Sequence, residues 1–344
     1  MKQKTLCIVA AGSGGHILPA LVLGKRWHKD NPDGKVIFFC SSKKLDKKII
    51  EQNSFLHKII SLKLINFPGK KLWLYPKFLF QLSISFVKSF FYLQKFRPEK
   101  VITTGGYIAI PVCVVGKLLK SYIELFELNV VPGKAIKALA SFANKIFITF
   151  EKTKSFFNAK NSEKCVLQNY PVRFTEQDKI FDKGLLIEKI NKKNDVFFSP
   201  NKKTIFLLGG SQGSIFLNDL LKKWLLEDKN NLNNVQVFHQ TGALDKTDWK
   251  AFYESLKIPA LIFSYDENIK DYYLIADLII SRAGAGTLFE LEFFQKKSLI
   301  IPLQTTYTDH QYLNAIEMAK RNPGLFFVHG QEEVGPNFYE LGIF

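Results

Sequence analysis

Leu6-Cys7-Ile8-Val9-Ala10-Ala11-Gly12-Ser13-Gly14-Gly15-His16 opens the chain, and Thr204-Ile205-Phe206-Leu207-Leu208-Gly209-Gly210-Ser211-Gln212-Gly213 repeats its construction in the second half. In each, an apolar run of one strand's length breaks into glycines, and an amphipathic stretch follows, to about Lys29 in the first case and Leu226 in the second. That is strand, glycine loop, helix. Outward from the first copy, short apolar runs at residues 36–40, 101–104, 121–126 and 145–150 read as further strands. The third of the half ends in Gly105-Gly106-Tyr107 and is followed by a helix from Pro111. Outward from the second copy, residues 235–240, 260–263, 278–281, 299–302 and 326–328 repeat the alternation. Strands alternating with helices at this spacing predict parallel sheets covered on both faces. Residues 174–203 interrupt the pattern with Lys, Asp and Asn, and Tyr170-Pro171 just before them discourages a continuous helix. The expectation is therefore an α/β protein of two Rossmann-like domains, residues 1–172 and 173–344, with parallel sheets facing across a cleft at their carboxyl ends.

Composition narrows the class. At 344 residues the chain has material for about two domains. Its 47% hydrophobic and 23% charged residues suit a packed globular protein rather than a disordered or fibrous one. Neither an uncharged apolar stretch of membrane-spanning length nor a secretory signal appears, so a cytoplasmic location is expected. The four cysteines, Cys7, Cys40, Cys113 and Cys165, form no C-x-x-C pair and read as buried or inert thiols. The net charge of +17 attracts polyanions, among them nucleic acid, anionic headgroups and phosphorylated substrates. Nucleic acid is disfavoured, because the aromatics fall at core periodicity and no nucleic-acid-binding module is present.

A glycine loop lets backbone approach a ligand, and the helix behind it aims free N–H groups and a positive dipole end at an anion. A tight strand-to-helix turn needs glycine in any case, so a single loop says little; three in one chain say more. Counting from Gly12 and Gly14 puts Ile17 where the third glycine of G-x-G-x-x-G belongs, and no acidic residue closes the second strand. Phosphate binding fits this pattern; dinucleotide binding does not.

Several runs, taken together and in order, carry a resemblance. In the first half they are Gly12-Ser13-Gly14-Gly15-His16-Ile17-Leu18-Pro19-Ala20, Gly105-Gly106-Tyr107, Glu127 with Asn129, Pro132-Gly133 and Pro171-Val172-Arg173. In the second they are Leu208 to Gly213, His239-Gln240-Thr241-Gly242, Ser281-Arg282-Ala283-Gly284-Ala285, Glu290, Asp309-His310-Gln311 and Asn314-Ala315. From about residue 4 to 320 the chain resembles the MurG glycosyltransferases of peptidoglycan synthesis. The resemblance implies a two-domain GT-B fold and an inverting transfer of N-acetylglucosamine from UDP-N-acetylglucosamine to the muramyl sugar of lipid I, giving lipid II, at the cytoplasmic face of the inner membrane. It implies no metal and no cofactor. By the same resemblance Ser13, Gly14, Gly15, Asn129, Arg173, Ser211 and Gln311 contact the nucleotide sugar, as do Ala285, Gly286, Thr287, Leu288, Phe289 and Glu290. Glu290 would accept the ribose hydroxyls, since a carboxylate can take two hydrogen bonds from a vicinal diol. Asp266 falls where the family contacts uracil, and Gly105, Gly106 and Tyr107 fall on the acceptor side.

Without a metal, the charge growing on the departing UDP needs fixed donors, and the backbone N–H groups of Ser211, Gln212 and Gly213 suit that task. The acceptor hydroxyl needs a base. His16 is the first candidate, with the alternative that it caps a helix starting near Ile17. Glu127 is the second, with two equal alternatives: orienting the acceptor, or standing as a solvated strand-end carboxylate. Three rival readings remain: a transferase that glycosylates diacylglycerol, a UDP-N-acetylglucosamine 2-epimerase, and a homologue that binds nucleotide sugar without turnover.

Lipid I is a membrane-bound acceptor, and residues 77–96 offer a means of docking. At 100° per residue, Leu79, Leu82, Phe86, Phe90 and Leu93 form one stripe and Phe80, Ile84, Val87 and Phe91 another. Lys77, Gln81, Lys88 and Lys95 are left on a narrow polar face. One stripe is expected to face the core. The other, with Lys70, Lys71, Trp73, Tyr75 and Lys77 at its start, is expected either to meet an anionic membrane surface or to be buried against neighbours. Against the family pattern, Phe126 and Leu128 replace a histidine and a glutamine, Tyr170 an asparagine, and Ala109-Ile110 small polar residues, while Gly286 and Phe289 alter the ribose segment. After Asn314-Ala315 the chain runs only to Phe344, so the family's last helix, which returns to the first domain, is expected to be shortened here.

Overall fold

The first strand, β1 (Thr5–Ala10), is buried along its whole length, as an apolar strand between two layers of helix must be. In this computed structural model, which describes residues 3–12, 14–210, 213–227, 232–266, 269–303 and 310–333, β1 is an interior strand of a parallel sheet. Its companions are β2 (Lys35–Ser41), β3 (Lys58–Leu62), β4 (Lys100–Gly105), β5 (Tyr122–Glu127), β6 (Lys145–Ile148) and β7 (Cys165–Leu167). The spatial order is β3-β2-β1-β4-β5-β6-β7. A second parallel sheet holds β8 (Lys203–Leu208), β9 (Val235–Gln240), β10 (Ala260–Phe263), β11 (Leu278–Ser281), β12 (Ser298–Ile300) and β13 (Phe326–Val328), in the order β10-β9-β8-β11-β12-β13. The chain divides into two units between Arg173 and Phe174, one sheet in each. Both units are Rossmann-like, as expected.

This topology positions the sites. In each sheet the strand order reverses beside the first strand, between β1 and β4 and between β8 and β11. Connections leave in opposite directions there and open a crevice at the carboxyl ends of the strands. The loops after β1 and β4 in one unit, and after β8 and β11 in the other, carry the glycine runs singled out from sequence.

The edge strands β3 and β7 had no counterpart in the sequence reading. Lys58-Ile59-Ile60-Ser61-Leu62 mixes polar with apolar residues, and Cys165-Val166-Leu167 is short with Val166 and Leu167 exposed. The Lys/Asp/Asn-rich stretch after Phe174 is not a plain linker either. It contains a helix, Lys183–Asn194, started by Asp182, whose carboxylate accepts the Leu185 N–H. Ile187 and Ile190 are its buried residues, and Lys189, Lys192 and Lys193 lie on the solvated face. Pro111 lies in the first turn of helix Ala109–Leu118, where a missing N–H costs nothing.

Helix Tyr75–Phe96 corrects the expectation for its faces. Its buried residues are Gln81, Ser85, Ser89 and Leu93, spaced four apart. Neither apolar stripe as a whole is the core face: Leu79, Phe80, Ile84, Val87, Phe90 and Phe91 are all exposed. Gln81, assigned to the polar face, instead accepts the Ile65 N–H through Oε1 at 3.0 Å. The buried serines satisfy themselves within the helix: Ser85 Oγ donates to Gln81 O (2.7 Å) and Ser89 Oγ to Ser85 O (2.6 Å). The helix therefore packs hydroxyls inward beside Leu93 and Phe86, while Phe80, Phe90 and Phe91 face outward. Among the described residues no helix is long and apolar enough to cross a membrane. The cysteines are free thiols, with Cys7, Cys40 and Cys113 buried, and burial pushes the Cys40 thiol up to about 11.

Candidate active site

In the N-terminal unit the helix after β1 begins at Gly14, so His16 lies inside its first turn and does not cap a helix starting at Ile17. The imidazole instead spans to the next loop: Nδ1 is 2.7 Å from Thr104 O, at the end of β4, and Thr104 Oγ1 donates back to His16 O at 2.8 Å. A carbonyl oxygen only accepts, so Nδ1 carries the proton, and in the neutral ring the lone pair is on Nε2. Burial lowers the His16 pKa below the ordinary imidazole value, against an opposing contribution from Thr104 O. The ring is neutral at physiological pH, with a basic nitrogen on its far side.

Glycines make this contact possible. A Cβ on Gly105 (φ +118°) would lie 3.2–3.3 Å from His16 Cε1 and Nδ1, and one on Gly106 (φ +94°) would lie 2.7 Å from Ala11 O. The β1 and β4 loops thus touch only because both glycines lack side chains. Tyr107, next in sequence, is half-buried. Gly14 and Gly15 contribute helix-start backbone, with nothing within 4 Å of a Cβ on Gly14; Ser13 lies outside the described residues. An acidic group does reach this loop, although none closes β2. Asp46, from helix Lys44–Glu51, is buried, and its Oδ2 accepts both Ser41 Oγ (2.5 Å) and Gly12 N–H (3.3 Å).

Glu127, the last residue of β5, is not a solvated carboxylate: it is 3% exposed. Oε1 accepts the backbone and side-chain N–H groups of Asn129 at 2.9 and 3.2 Å, and Oε2 accepts Gly133 N–H at 2.8 Å. Burial raises its pKa to about 7 against these hydrogen bonds. The geometry is that of a residue folding the 128–133 loop and presenting half-buried Asn129. The substituted neighbours belong to the core, Phe126 stacked on Phe147 at 4.6 Å and Leu128 buried, as is Tyr170.

In the C-terminal unit, Gly213 (φ +78°) closes the turn after β8 by donating its N–H to Gly210 O at 3.1 Å. It faces Thr241-Gly242 so closely that a Cβ would lie 2.5 Å from Thr241 O and Gly242 Cα. Ser211 and Gln212 lie outside the described residues. Thr241 is held from behind by a buried chain of polar groups. Asn218 Nδ2 donates to Thr241 O (3.1 Å) and Asp245 Oδ2 (2.6 Å), His239 Nε2 meets Asn218 Oδ1 (3.1 Å), and Tyr253 OH meets His239 Nδ1 (2.9 Å). Burial drives the His239 pKa down to about 3, so it is neutral structural material. Arg282, after β11, donates through Nε and Nη2 to Ser214 Oγ (3.1 and 2.9 Å) and through Nη1 to Ile301 O (3.1 Å). Burial lowers its pKa to about 10, leaving a cation at neutral pH beside the glycine turn.

The nucleoside candidates lie in the same unit. Helix Ala285–Phe293 carries Ala285, Gly286, Thr287, Leu288, Phe289 and Glu290. Leu288 and Phe289 are buried, whereas Glu290 is half-buried and accepts Tyr273 OH through Oε2 at 2.9 Å. Asp266, after β10, accepts Tyr272 OH. Gln311 Oε1 accepts Leu303 N–H at 2.9 Å, which turns its amide toward the strand-end side of the unit's last described helix. Arg173, half-buried, is the last residue of the N-terminal unit. Sequence reasoning missed Thr104, Asp46, Tyr273 and the bonding role of Arg282; only Arg282 had a signal, as part of a quoted run. Among the described residues no group of three or more His, Cys, Asp or Glu is disposed to hold a metal ion.

Comparison with known proteins covers both units. The glycosyltransferase family 28 N-terminal domain matches residues 6–148 and the glycosyltransferase family 28 C-terminal domain matches residues 204–333. The chain is 33% identical over 335 residues, 96% of its length and 86% of the relative's, to a protein of Flavobacterium psychrophilum. That relative is named UDP-N-acetylglucosamine--N-acetylmuramyl-(pentapeptide) pyrophosphoryl-undecaprenol N-acetylglucosamine transferase. A Pelagibacter ubique protein of the same name is 30% identical over 91% of this chain and 81% of its own. Among solved structures, Acinetobacter baumannii MurG has a TM-score of 0.70 at 21% identity, covering 98% of this chain and 89% of its own. UDP-GlcNAc 2-epimerase from Neisseria meningitidis, bound to UDP-GlcNAc, has a TM-score of 0.64 at 14% identity, covering 98% and 91%. At these identities the two structures share the fold with this chain.

Proposed function

The chain belongs to the MurG family within glycosyltransferase family 28, and on that premise we propose how its residues divide the work of the transfer. The activity is that of a UDP-N-acetylglucosamine-dependent N-acetylglucosaminyltransferase that glycosylates lipid I to give lipid II. In our reading the C-terminal unit holds the donor. The glycine turn after β8, closed by the Gly213 N–H on Gly210 O, meets the diphosphate, and the Arg282 cation stands behind that turn. Glu290 takes the ribose diol, and Asp266 marks the uracil contact. The N-terminal unit serves the acceptor through His16 and the Gly105-Gly106-Tyr107 loop, while Glu127 shapes the loop that presents Asn129.

The acceptor oxygen forms a bond to the anomeric carbon as the bond from that carbon to the UDP oxygen breaks, and the configuration inverts. The hydroxyl proton passes to His16 Nε2, and the electron pair of the broken bond leaves on UDP. The observation that carries this reading is the His16–Thr104 hydrogen bond, because it fixes the tautomer that leaves Nε2 as the base. The test is radiolabelled transfer from UDP-N-acetylglucosamine to a short-chain lipid I analogue with chelator present. Product is expected; N-acetylmannosamine release without acceptor, or UDP-sugar binding without product, would replace this reading with the epimerase or the inactive homologue.

For the membrane we propose that the outward face of helix Tyr75–Phe96 seats the enzyme as a peripheral protein on the anionic cytoplasmic leaflet. Phe80, Val87 and Phe91 are 62–71% exposed, Leu72 and Trp73 at the preceding turn 73–75%, and Lys70, Lys71 and Lys77 flank them. Exposed aromatics with basic neighbours suit the headgroup boundary. Phe80→Ser with Phe91→Ser is expected to lower co-sedimentation with phosphatidylglycerol vesicles about tenfold or more while the glycosylation of a water-soluble acceptor persists. Unchanged vesicle binding would remove this face as the docking surface.

A further inference from the structure

Two consecutive tyrosines, Tyr272 and Tyr273, occupy the short helix Ile269–Ile275. Both rings sit in aromatic cages. Tyr272 lies 4.6 Å from Phe238 and 5.0 Å from Phe263, and Tyr273 lies 5.4 Å from Phe294, 5.7 Å from Phe206 and 6.2 Å from Phe174. A phenol in such surroundings needs a partner for its hydroxyl. Here each hydroxyl emerges onto a carboxylate: Tyr273 OH on Glu290 Oε2 at 2.9 Å, and Tyr272 OH on Asp266 Oδ2. Successive residues on a helix diverge by about 100°, so one rigid turn reaches two different elements, the helix Ala285–Phe293 and the loop after β10.

The two carboxylates are the residues assigned above to the ribose and the uracil contact, and the inference rests on that reading. We propose that Tyr273 is a positioning residue for the ribose specificity of Glu290, and that Tyr272 does the same for the base-contacting loop through Asp266. A glutamate on a helix surface samples several rotamers, and ordering them on binding costs free energy. Tyr273 removes that cost beforehand. It is itself fully buried and cannot move without repacking its phenylalanines. The Tyr273 hydroxyl takes one acceptor position on Oε2, and a carboxylate has about four lone-pair positions, two of which a vicinal diol would use.

The experiment compares Tyr273→Phe, Tyr272→Phe and Glu290→Gln in the full-length enzyme, using calorimetric affinity for UDP and for 2′-deoxy-UDP and steady-state kinetics with UDP-N-acetylglucosamine. The ratio of the two affinities within one variant does not depend on how much of the protein is folded. Tyr273→Phe is expected to cut the preference for UDP over its 2′-deoxy analogue about fivefold to tenfold and to raise donor KM more than it lowers kcat. Tyr272→Phe should leave that preference intact and instead reduce discrimination between UDP and CDP. Tyr273→Phe combined with Glu290→Gln should be no worse in ribose preference than Glu290→Gln alone. Equal losses for UDP and 2′-deoxy-UDP in Tyr273→Phe would overturn the inference while leaving Glu290 at the ribose. An unchanged ratio in Glu290→Gln would overturn the ribose assignment itself, and the inference with it.

Discussion

The turns after β1 and β8 read alike in sequence, yet their surroundings are opposite in charge. After β1, the Gly12 N–H is already taken by the Asp46 carboxylate. After β8, the hydroxyl of Ser214 is gripped by the Arg282 guanidinium. A carboxylate at the first turn repels a second anion, whereas the partly buried Arg282 cation, whose fork among the described residues meets hydroxyl and carbonyl oxygens, attracts one. The two turns also differ in what the glycines admit. At the first, Gly105 of the adjoining β4 loop leaves room for the His16 imidazole and Gly106 for the Ala11 backbone; at the second, Gly213 lets two backbones touch. A shared strand–glycine–helix pattern therefore does not imply shared chemistry. The neighbouring element decides it, and in the division proposed above it separates a base-bearing turn from an anion-holding one.

The largest effect that follows is at the first turn. His16→Ala is expected to lower kcat by ~10²–10⁴-fold, with calorimetric UDP-N-acetylglucosamine affinity changed by no more than a few-fold. Comparable losses in both would remove His16 from the base role. Since burial lowers the His16 pKa from its usual 6.5, the neutral, proton-accepting form persists as pH falls through that value. The acid limb of kcat/KM should accordingly lie below pH 6.5, and should vanish from the residual rate of His16→Ala.

Next comes a matched pair of glycine substitutions. Gly12→Ala meets only the backbone strain of φ +107°, because nothing lies within 4 Å of the new methyl, and about 1–2 kcal/mol is expected. Gly213→Ala adds to a similar strain an overlap with Thr241 O and Gly242 Cα at 2.5 Å. Backbone cannot step aside as a flexible side chain can, so about 3 kcal/mol or more is expected, read as a larger fall in Tm and as weakened donor binding. Equal falls in Tm for the two variants would show that the Thr241-Gly242 contact yields, and that the second turn is not clamped.

The parts of this molecule legible in sequence are those where one residue type has one physical use. Apolar runs such as Leu6 to Ala10 and Ile205 to Leu208 are strands because nothing else buries them on both sides, and glycines at their ends mark the turns. His16 stood out because it follows the glycines directly, but its hydrogen bond to Thr104 O, which orients the ring, left no trace in the sequence. Helix Tyr75–Phe96 misled because its buried Ser85 and Ser89 spend their hydroxyls on their own backbone, so polarity no longer signals exposure. The strands β3 and β7 were missed because Lys58 and Ser61 interrupt the first and the second is three residues long with Val166 and Leu167 exposed. Asp46, Thr104 and Tyr273 were illegible for a different reason. Each acts on a partner brought close only by the sheet order, 34 residues away for Asp46 and Gly12 and 88 for Thr104 and His16.

The smallest effects test the charge contrast directly. Arg282→Lys keeps the cation but loses the fork that holds Ser214 Oγ with two nitrogens and Ile301 O with the third. A lysine ammonium cannot reproduce that planar geometry, and donor KM is expected to rise about tenfold at most, with acceptor KM unmoved. Asp46→Asn removes the charge at the first turn but preserves an oxygen for the Gly12 N–H, costing about 1 kcal/mol of stability. Its effect on donor KM should be under about twofold, because the carboxylate belongs to the other unit. If Asp46→Asn tightened UDP binding as much as Arg282→Lys weakened it, the first turn would also be an anion site held in check by its own carboxylate. The division of labour between the two turns would then be one of degree, set by a single side chain.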